Sequence, residues 1–237
     1  MAARSIRLCA AHVARVHRRV EDEGPPGMRL QTDADYAGWV DLTGRTNPAP
    51  DGPIRLFAYG SLIWKPEFDY IEAASATAYG WHRSFCLRMP RFRGTPDAPG
   101  LMMVLDRGGQ CRGVVFTLPR SDPAAQLDQL FRREFTFKPI NNIPRWIKVA
   151  TANGQQAALA FVVNRASPLY AGRLPPDQVA DVLAKACGHW GSGAEYLLNT
   201  VVGLDRAGIR DRRLWQLQDL VAARIEAATG PVPTLPP

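Results

Sequence analysis

An apolar β-type run meets a glycine–serine turn in the segment IRLFAYGSLIW, residues 54–64. The run from Ile54 to Tyr59 has the length and composition of a buried strand, and Gly60 and Ser61 end it. Backbone N–H groups at such a strand end can turn toward a ligand and form a small nest for an anion or an oxyanion. A Tyr-Gly-Ser sequence is also an ordinary way to leave a strand, so the segment alone leaves both interpretations open.

Five further β-type runs follow this segment, and glycine, proline or aspartate separates most of them. They cover residues 84–88, 101–105, 111–118, 145–150 and 157–163. Helical patterns interrupt the strands late in the chain instead of alternating with them throughout. This order predicts an α+β fold with a mixed, curved, barrel-like sheet and flanking helices.

Four helices are predicted from start signals and apolar spacing. They begin after Ser121-Asp122-Pro123 with the serine as N-cap, at Pro176-Asp177, at a capping box formed by Ser192 and Glu195, and at about Asp211. The first runs to about Phe135, the second ends at Gly188, and the fourth carries Leu214, Leu217, Val221 and Ile225 on one face.

The first 53 residues are predicted to lie outside the main domain. Apolar residues recur at helical spacing between positions 6 and 20, and the accompanying arginines make this segment basic. Its charge is similar to that of a transit peptide, but we expect a helix that docks on its own domain. Frequent glycine and proline favour an extended arm over residues 21–53. The main domain is predicted over residues 54–221, and residues 222–237 complete the last helix and form a disordered tail.

Composition excludes several classes of protein. The 237 residues are 46% hydrophobic and 22% charged, which is typical of a globular protein with one main domain. No apolar run approaches the roughly 18 residues of a membrane helix, so we expect no membrane insertion. The net charge of +7 is scattered and lacks an aromatic-rich basic stripe, so no nucleic-acid binding is expected. Four widely spaced cysteines form no Cys-x-x-Cys pair and indicate a reducing cytoplasm.

Motifs for several common chemistries are missing from the sequence. Gly-x-Ser-x-Gly, the Walker loop, Gly-x-Gly-x-x-Gly and His-Glu-x-x-His are all absent. The four histidines are spread along the chain, and each is more typical of a structural or surface residue than of a metal ligand. We therefore predict no metal and no cofactor.

Glu134 is the most informative single residue. Leu127, Leu130 and Phe131 lie at positions i, i+3 and i+4 of the predicted helix, and Glu134 occupies i+7 on the same apolar stripe. A carboxylate there either pairs with a cation or has a raised pKa, because desolvation disfavours its charged form. A raised pKa suits a proton shuttle. A partner such as Arg132, Arg133 or Lys138 would make the residue structural instead, and the helix alone leaves this open.

A series of motifs then resembles one family in order and spacing. They are LFAYGSLIW at 56–64, GWHRSF at 80–85, PGL at 99–101, GVVF at 113–116, Arg133-Glu134, PLYAG at 168–172 and GSGAEYL at 191–197. This pattern resembles the ChaC-like γ-glutamylcyclotransferases over residues 54–221.

The resemblance implies a mixed α/β barrel-like fold and a glutathione-type γ-glutamyl substrate that yields 5-oxoproline and cysteinyl-glycine. It also implies that Glu134 is catalytic and that the loop formed by Tyr59, Gly60, Ser61, Leu62 and Ile63 binds the γ-glutamyl part. The implied reaction uses no metal and no cofactor. The sequence differs from many members of the family at Ala58, where they have glycine, and at residues 135–139, where they have a glycine–tyrosine stretch. These differences bear on substrate selectivity.

Two further residues are candidates for substrate binding. Glutathione carries two carboxylates, and Arg88 is a candidate to bind one of them. Tyr170 is a candidate to donate a hydrogen bond to the substrate. A solvated strand arginine and an aromatic ring packed over a sheet edge are the alternatives.

The sequence leaves three rival functions open. The enzyme could act on another γ-glutamyl compound, the fold could serve as a non-catalytic binding module, or the basic N-terminal helix could bind an acidic surface. The sequence does not determine the oligomeric state.

Overall fold

The computed structural model describes residues 5–24 and 27–232. Helices within these ranges are α1 (Ala10–Val16), α2 (Asp33–Arg45), α3 (Ser61–Trp64), α4 (Pro123–Glu134), α5 (Pro176–Leu183), α6 (Gly193–Arg206) and α7 (Arg212–Thr229). Strands are β1 (Arg29–Leu30), β2 (Arg55–Ala58), β3 (Glu72–Met89), β4 (Gly100–Thr117), β5 (Phe137–Lys138), β6 (Asn142–Thr151), β7 (Gly154–Val163), β8 (Cys187–Gly188) and β9 (Gly191–Ser192). Arg4, Pro25, Pro26 and residues 233–237 of the predicted tail lie outside the described residues.

The chain forms two compact units, each built from segments that are distant in sequence. The terminal unit contains the N-terminal segment, Phe85–Met102 and the chain from Ala171 onward. The central unit contains Gly27–Ser84 and Met103–Tyr170. Both units therefore depend on contacts between residues that are far apart along the chain.

A closed barrel has the strand order β2-β4-β3-β6-β7. Strand β7 closes it, because it pairs antiparallel with β6 and also parallel with β2 and with β4. Strand β2 pairs antiparallel with β4, from Arg55 opposite Thr117 to Ala58 opposite Val114. The sheet is thus mixed and curved, and the predicted α+β fold with a barrel-like sheet and flanking helices is confirmed.

Strand β4 is longer than the sequence indicates. The predicted runs at 101–105 and 111–118 are two parts of this one strand. Gly108 and Gly109 resemble a turn in the sequence, but they lie within the strand with φ angles of 107° and 69°. Such angles are readily adopted only by glycine. His82 of β3 supports this point through a contact of 3.0 Å between its Nδ1 and the Gly108 carbonyl oxygen.

An apolar cluster joins α4 to the barrel within the central unit. Leu127, Leu130 and Phe131 are at most 3% exposed and pack in this cluster with side chains of β2 and β7. The rings of Phe131 and Phe161 meet edge to face, with their centroids 6.1 Å apart. The predicted apolar stripe is confirmed, and it fixes the helix turn that carries Glu134.

The N-terminal arm contains a helix that the sequence reasoning missed. The prediction of an extended arm over residues 21–53 is wrong for Asp33–Arg45, which form α2. Thr32 accepts the N–H of Asp35, and the Asp35 carboxylate accepts the Thr32 N–H at 2.7 Å. This reciprocal pair is a capping box, and its Thr-x-x-Asp spacing was visible in the sequence among the glycines and prolines.

Helix α2 is held by aromatic residues on one face. The Tyr36 hydroxyl donates to the Phe135 carbonyl oxygen at 3.1 Å. The Trp39 ring meets the Phe135 ring edge on, with centroids 5.8 Å apart. These contacts place α2 on the same apolar cluster as α4.

The predicted N-cap of α4 is wrong by one residue. Asp122, not Ser121, caps the helix, and its carboxylate accepts the Ala125 N–H at 3.0 Å. Asp122 has a φ of 44°, and Pro123 supplies the first helical residue, where a proline needs no hydrogen-bond acceptor. The left-handed cap turns the chain sharply into the helix.

Two other predicted helix boundaries also differ. Helix α5 ends at Leu183, before the predicted end at Gly188. Gly188 lies in β8 instead, where a Cβ would come within 2.3 Å of the Phe92 carbonyl oxygen. The predicted start at Ser192 is correct, and its hydroxyl accepts the Glu195 N–H at 3.1 Å. The Glu195 half of the predicted capping box is wrong, since that carboxylate accepts from Arg93 at 2.8 Å.

The N-terminal segment docks on α7 within the terminal unit, as predicted, but not through the predicted apolar spacing, because His12 and Val16 are the buried residues of α1 and Ala10 is exposed. The buried Gln218 side chain accepts the N–H groups of Arg7 and Leu8 at 2.9 and 2.8 Å. Arg15 donates to the Pro231 carbonyl oxygen at 2.8 Å, just beyond α7. The Arg7 guanidinium also binds Glu226 of α7, so both arginine side chains have partners within the protein, which favours the docked helix over an adaptor for an acidic surface.

Gly113 provides a test of the β2–β4 packing. A Cβ at this position would lie 2.4 Å from the Ala58 carbonyl oxygen and 2.7 Å from the Phe57 ring. We expect Gly113→Ala to lower the free energy of unfolding by about 3 kcal/mol in denaturant titrations, because the strands must separate. The matched control is Gly38→Ala on the exposed side of α2, where nothing lies within 4 Å. It should raise stability by about 0.5 to 1 kcal/mol, and equal effects at both positions would contradict this description.

Candidate active site

Glu134 lies at the C-terminal end of α4, and its side chain is 16% exposed. Burial raises the pKa of the Glu134 carboxyl from 4.5 to about 7, while the positive charge of Arg133 opposes this shift. Although solvent reaches part of the side chain, the surrounding protein atoms desolvate the carboxyl enough to outweigh that charge. Both protonation states are therefore populated near neutral pH, as a proton shuttle requires.

Arg133 offsets the burial of Glu134 only in part, because its guanidinium also binds other groups. Its Nη1 lies 2.5 Å from the Pro66 carbonyl oxygen and 3.0 Å from a Glu67 carboxylate oxygen. Its Nε lies 3.4 Å from Oε1 of Glu134, which is too long for a strong hydrogen bond. The two other cations considered from the sequence form ion pairs with Asp33 and Asp128, in the case of Arg132, and with Asp35, in the case of Lys138.

The loop from Tyr59 to Ile63 leaves β2 and enters α3. The Tyr59 side chain is buried, and its hydroxyl donates to the Phe161 carbonyl oxygen of β7 at 2.8 Å. Gly60 caps α3, and its carbonyl oxygen accepts the Ile63 N–H at 2.9 Å. Ser61 and Leu62 thus begin the helix, at positions whose N–H groups have no acceptor within a helix.

Arg83 holds the start of this loop, and the sequence reasoning did not single it out. The residue is 8% exposed, and its Nε donates to the Tyr59 carbonyl oxygen at 2.6 Å. Its Nη2 donates to the Arg112 carbonyl oxygen on β4 at 2.5 Å. A buried guanidinium thus links the end of β2 to β4 beside the loop. The Gly-Trp-His-Arg motif was visible in the sequence, but the motif does not show that Arg83 binds Tyr59.

The loop and the helix that carries Glu134 contact the same apolar cluster. Leu62 is buried in it and Ile63 packs against it, together with Phe131 and Phe135 from the last turn of α4 and the residue that follows. Both the loop and the end of α4 therefore border the same apolar cluster of the central unit.

Tyr170 donates its hydroxyl hydrogen to Asp106. Like Arg83, Asp106 was not identified from the sequence. The distance from the Tyr170 hydroxyl to Oδ2 of Asp106 is 2.9 Å, and Arg165 Nε lies 2.7 Å from Oδ1. Burial by itself would raise the pKa of Asp106, but hydrogen bonds from Arg165, the Arg107 N–H and Tyr170 hold that pKa below its ordinary value. Asp106 is thus a buried carboxylate that orients Tyr170.

Strand pairing relates Asp106 to Phe161, whose carbonyl oxygen accepts the hydrogen bond from the Tyr59 hydroxyl. Leu105 pairs with Val162 in the parallel β4–β7 ladder, so Asp106 and Phe161 are each one residue away from that pair, in opposite directions. Standard strand spacings put their Cα atoms roughly 8 Å apart. The Tyr170–Asp106 pair and the loop are accordingly held by adjacent parts of β7 and β4.

Arg88 is not brought into this arrangement within the central unit. It lies near the end of β3, in the segment Phe85–Met102 of the terminal unit, and its side chain is exposed. Exposure agrees with the alternative of a solvated arginine and also leaves the guanidinium accessible to a ligand.

The described residues contain neither a metal-ligand cluster nor a helix that could span a membrane. Among residues 5–24 and 27–232, no group of three or more His, Cys, Asp or Glu side chains is placed to hold a metal ion. Within the same ranges, none of the helices has the length and apolar character to cross a bilayer.

Comparison with solved structures defines the class of fold. The chain resembles a yeast γ-glutamyl cyclotransferase specific to glutathione with a TM-score of 0.64 and 20% sequence identity. The match covers 73% of this chain and 97% of the yeast protein. The architecture is therefore that of the γ-glutamyl cyclotransferases.

Sequence comparison identifies the family. A family profile described as ChaC-like protein matches residues 54–224. A glutathione-specific gamma-glutamylcyclotransferase from Escherichia coli is 33% identical over 162 residues, which is 68% of this chain and 69% of that protein. Glutathione-specific gamma-glutamylcyclotransferase 1 from Mus musculus is 29% identical over 87% of this chain and 92% of that protein. The chain belongs to the ChaC-like protein family, and the resemblance found in its motifs is confirmed.

The raised pKa of Glu134 predicts a pH-dependent stability. Between pH 4.5 and about 7 the unfolded chain loses a proton that the folded protein keeps, so stability falls as the pH rises through this window. Glu134→Gln removes the effect. We expect the variant to gain stability relative to the wild type by about 2.5 kcal/mol between pH 5 and pH 8, in denaturant titrations at each pH.

Glu67→Gln is the matched control for this measurement. Glu67 also binds Arg133, but a hydrogen bond from Lys65 lowers the pKa of its half-exposed carboxyl. Its contribution is complete above the ordinary carboxyl pKa, so the difference from wild type should be flat between pH 5 and pH 8. A flat difference for Glu134→Gln as well would contradict the raised pKa.

Proposed function

We propose that the chain is an enzyme that cleaves glutathione into 5-oxoproline and cysteinyl-glycine, with Glu134 as the general acid and base. The observation that carries the proposal is a carboxyl with a pKa near 7 that shares an apolar cluster with the Tyr59–Ile63 loop. The names of the E. coli and mouse relatives support glutathione as the substrate.

The proposed reaction balances without water or a cofactor. The α-amine of the γ-glutamyl group attacks its own γ-carbonyl carbon, and the new C–N bond closes a five-membered ring. The amide bond to cysteine then breaks. Glu134 takes a proton from the attacking nitrogen and delivers it to the leaving nitrogen, so that the carboxylate is regenerated. A pKa near 7 suits both halves of this transfer.

We assign the loop a positioning role in this reaction. Tyr59, Gly60, Ser61, Leu62 and Ile63 would hold the γ-glutamyl part folded for attack, and N–H groups at the start of α3 would stabilise the oxyanion that forms on the γ-carbonyl. The hydrogen bonds from Tyr59 to β7 and from Arg83 to Tyr59 keep this loop fixed before substrate binds.

Tyr170 and Arg88 are proposed as substrate ligands with roles that fit their surroundings. The Tyr170 hydroxyl donates to Asp106, so we propose that its oxygen accepts a hydrogen bond from the substrate ammonium instead of donating one as the sequence suggested. The exposed Arg88 is proposed to bind a substrate carboxylate. No metal, cofactor, nucleic acid or membrane insertion enters the proposal.

We further propose residues 54–221 as the catalytic domain, to which residues 1–53 add α1 and α2 and residues 222–237 add the end of α7. None of the four cysteines forms a disulfide within the described residues, and three of them are buried. We propose the cytoplasm as the compartment, because cysteines without disulfides are typical of reducing surroundings.

A second candidate substrate is another γ-glutamyl compound, such as a γ-glutamylamine. Residues 135–139 differ from many family members, and Phe135 packs its ring against Tyr36, Trp39 and Phe131. Aromatic packing therefore anchors the chain directly after Glu134. This packing favours a substrate selectivity that differs from that of family members with a glycine–tyrosine stretch there.

Chromatographic detection of 5-oxoproline tests the proposal directly. We expect wild-type protein to release 5-oxoproline from glutathione without added metal or nucleotide, and Glu134→Gln to be slower by about 100-fold to 10,000-fold because the proton shuttle is lost. Glu67→Gln should retain activity. Wild-type activity in Glu134→Gln would refute the role of Glu134. If neither protein acts on glutathione, a panel of γ-glutamylamines decides between the other substrate class and a binding module.

Tyr170→Phe tests the proposed ammonium contact. Loss of one hydrogen bond to a charged group should lower kcat/KM for glutathione by about 10-fold to 100-fold. Tyr79→Phe, at a β3 tyrosine that is 62% exposed, is the matched control and should leave steady-state kinetics unchanged. Equal kinetics for both variants would remove Tyr170 from the site.

A further inference from the structure

The side chains of Cys9, His12 and Glu226 contact one another in series within the terminal unit. The Sγ atom of Cys9 lies 3.1 Å from Nδ1 of His12. The other ring nitrogen of His12, Nε2, lies 2.9 Å from Oε1 of Glu226 on α7. A thiol, an imidazole and a carboxylate thus lie in the order in which nucleophile, base and orienting group occur at reactive cysteines.

The backbone assigns the histidine tautomer. The Cys9 N–H points at Nδ1 of His12 at 3.3 Å, so Nδ1 is an acceptor and Nε2 carries the hydrogen that Glu226 accepts. The Cys9 thiol then donates to Nδ1, which is placed to take its proton. His12 is 3% exposed, so the ring is fixed by packing as well as by hydrogen bonds.

Glu226 remains available as an anion to orient the ring. The hydrogen bond from His12, together with one from Arg7, lowers the pKa of the Glu226 carboxyl below its ordinary value. Arg7 binds the second carboxylate oxygen, and its side chain is 47% exposed. The carboxylate is therefore held by two partners while it supports the imidazole.

Cys9 also differs from the other cysteines in its access to solvent. Cys86, Cys111 and Cys187 are at most 1% exposed, whereas Cys9 is partly exposed. A reagent that approaches the folded protein can thus reach Cys9 before the other three thiols.

We propose that Cys9 is a reactive thiol that forms mixed disulfides with low-molecular-weight disulfides, using His12 as its base and Glu226 as a positioning residue. His12 takes the thiol proton, and the Cys9 sulfur attacks one sulfur of the small disulfide. The old S–S bond breaks as the new one forms, and the released thiolate takes the proton from His12. One disulfide is exchanged for another, so no further oxidant is needed.

A purely structural role for these residues is the alternative, because Cys9 is also the N-cap of α1 and His12 the capping residue three positions later. Variants can separate the two roles. Glutamine is a natural partner at this position of a capping box, so His12→Gln keeps an acceptor for the Cys9 N–H but removes the base. Cys9→Ser likewise keeps a capping side chain without the thiol.

The test is the rate at which the folded full-length protein forms a mixed disulfide with glutathione disulfide, followed by intact mass, with the modified peptide mapped after digestion. We expect one glutathionyl group on Cys9 in the wild type, none in Cys9→Ser, and a rate at least about tenfold lower in His12→Gln, since a positioned base typically contributes more than that. Glu226→Gln should also slow the reaction, and Glu21→Gln, an exposed carboxylate in the same segment, should not.

A chromogenic aromatic disulfide provides a second probe with a readout of released thiolate, and it should give the same order of rates. The proposal is overturned if His12→Gln, with an unchanged unfolding temperature, reacts as fast as the wild type, or if the wild type forms no mixed disulfide at Cys9. Neither result depends on turnover of glutathione to 5-oxoproline, so the outcome is independent of the proposed function.

Discussion

Closure of the barrel through β7 is the constraint on which the central unit depends. This strand pairs with β6, β2 and β4, and its residues 158–162 are at most 3% exposed. A closed sheet has no edge, so the ends of its strands are fixed relative to one another. The Tyr59 loop begins at the end of β2 and is tied by its hydroxyl to β7. The start of the candidate loop is therefore held by the strand that closes the barrel.

Two largely desolvated carboxyl groups in this unit show how the surroundings of a carboxyl set its pKa. Glu134 and Asp106 both lose solvent, yet the pKa of Glu134 rises and that of Asp106 falls. Asp106 accepts three strong hydrogen bonds, whereas Glu134 has one arginine neighbour that also binds Glu67. The donors present at each site decide which carboxyl can exchange a proton near neutral pH and which remains an anion.

Local patterns in the sequence predicted the parts of the structure that depend on local physics. The run before Gly60, the β6 and β7 strands and the apolar stripe of α4 follow from spacing and composition, and the stripe alone directs attention to Glu134. Spacing did not reveal that residues 107–110 continue β4, because two glycines there resemble a turn. Asp106 and Arg83 were missed because their importance comes from partners such as Tyr170 and Tyr59, which only the fold brings near. The family resemblance supplied the substrate class, which no local pattern contains.

The contacts that dock the N-terminal segment join residues that are synthesised at very different times. Leu8 and His12 are synthesised early, but their partners Gln218 and Glu226 come more than 200 residues later. At about 5 to 20 residues per second, the N-terminal segment waits roughly 10 to 40 seconds before those partners exist. During translation Cys9 and His12 therefore precede Glu226 by more than 200 residues, and the Cys9–His12–Glu226 arrangement is complete only after α7 has been synthesised.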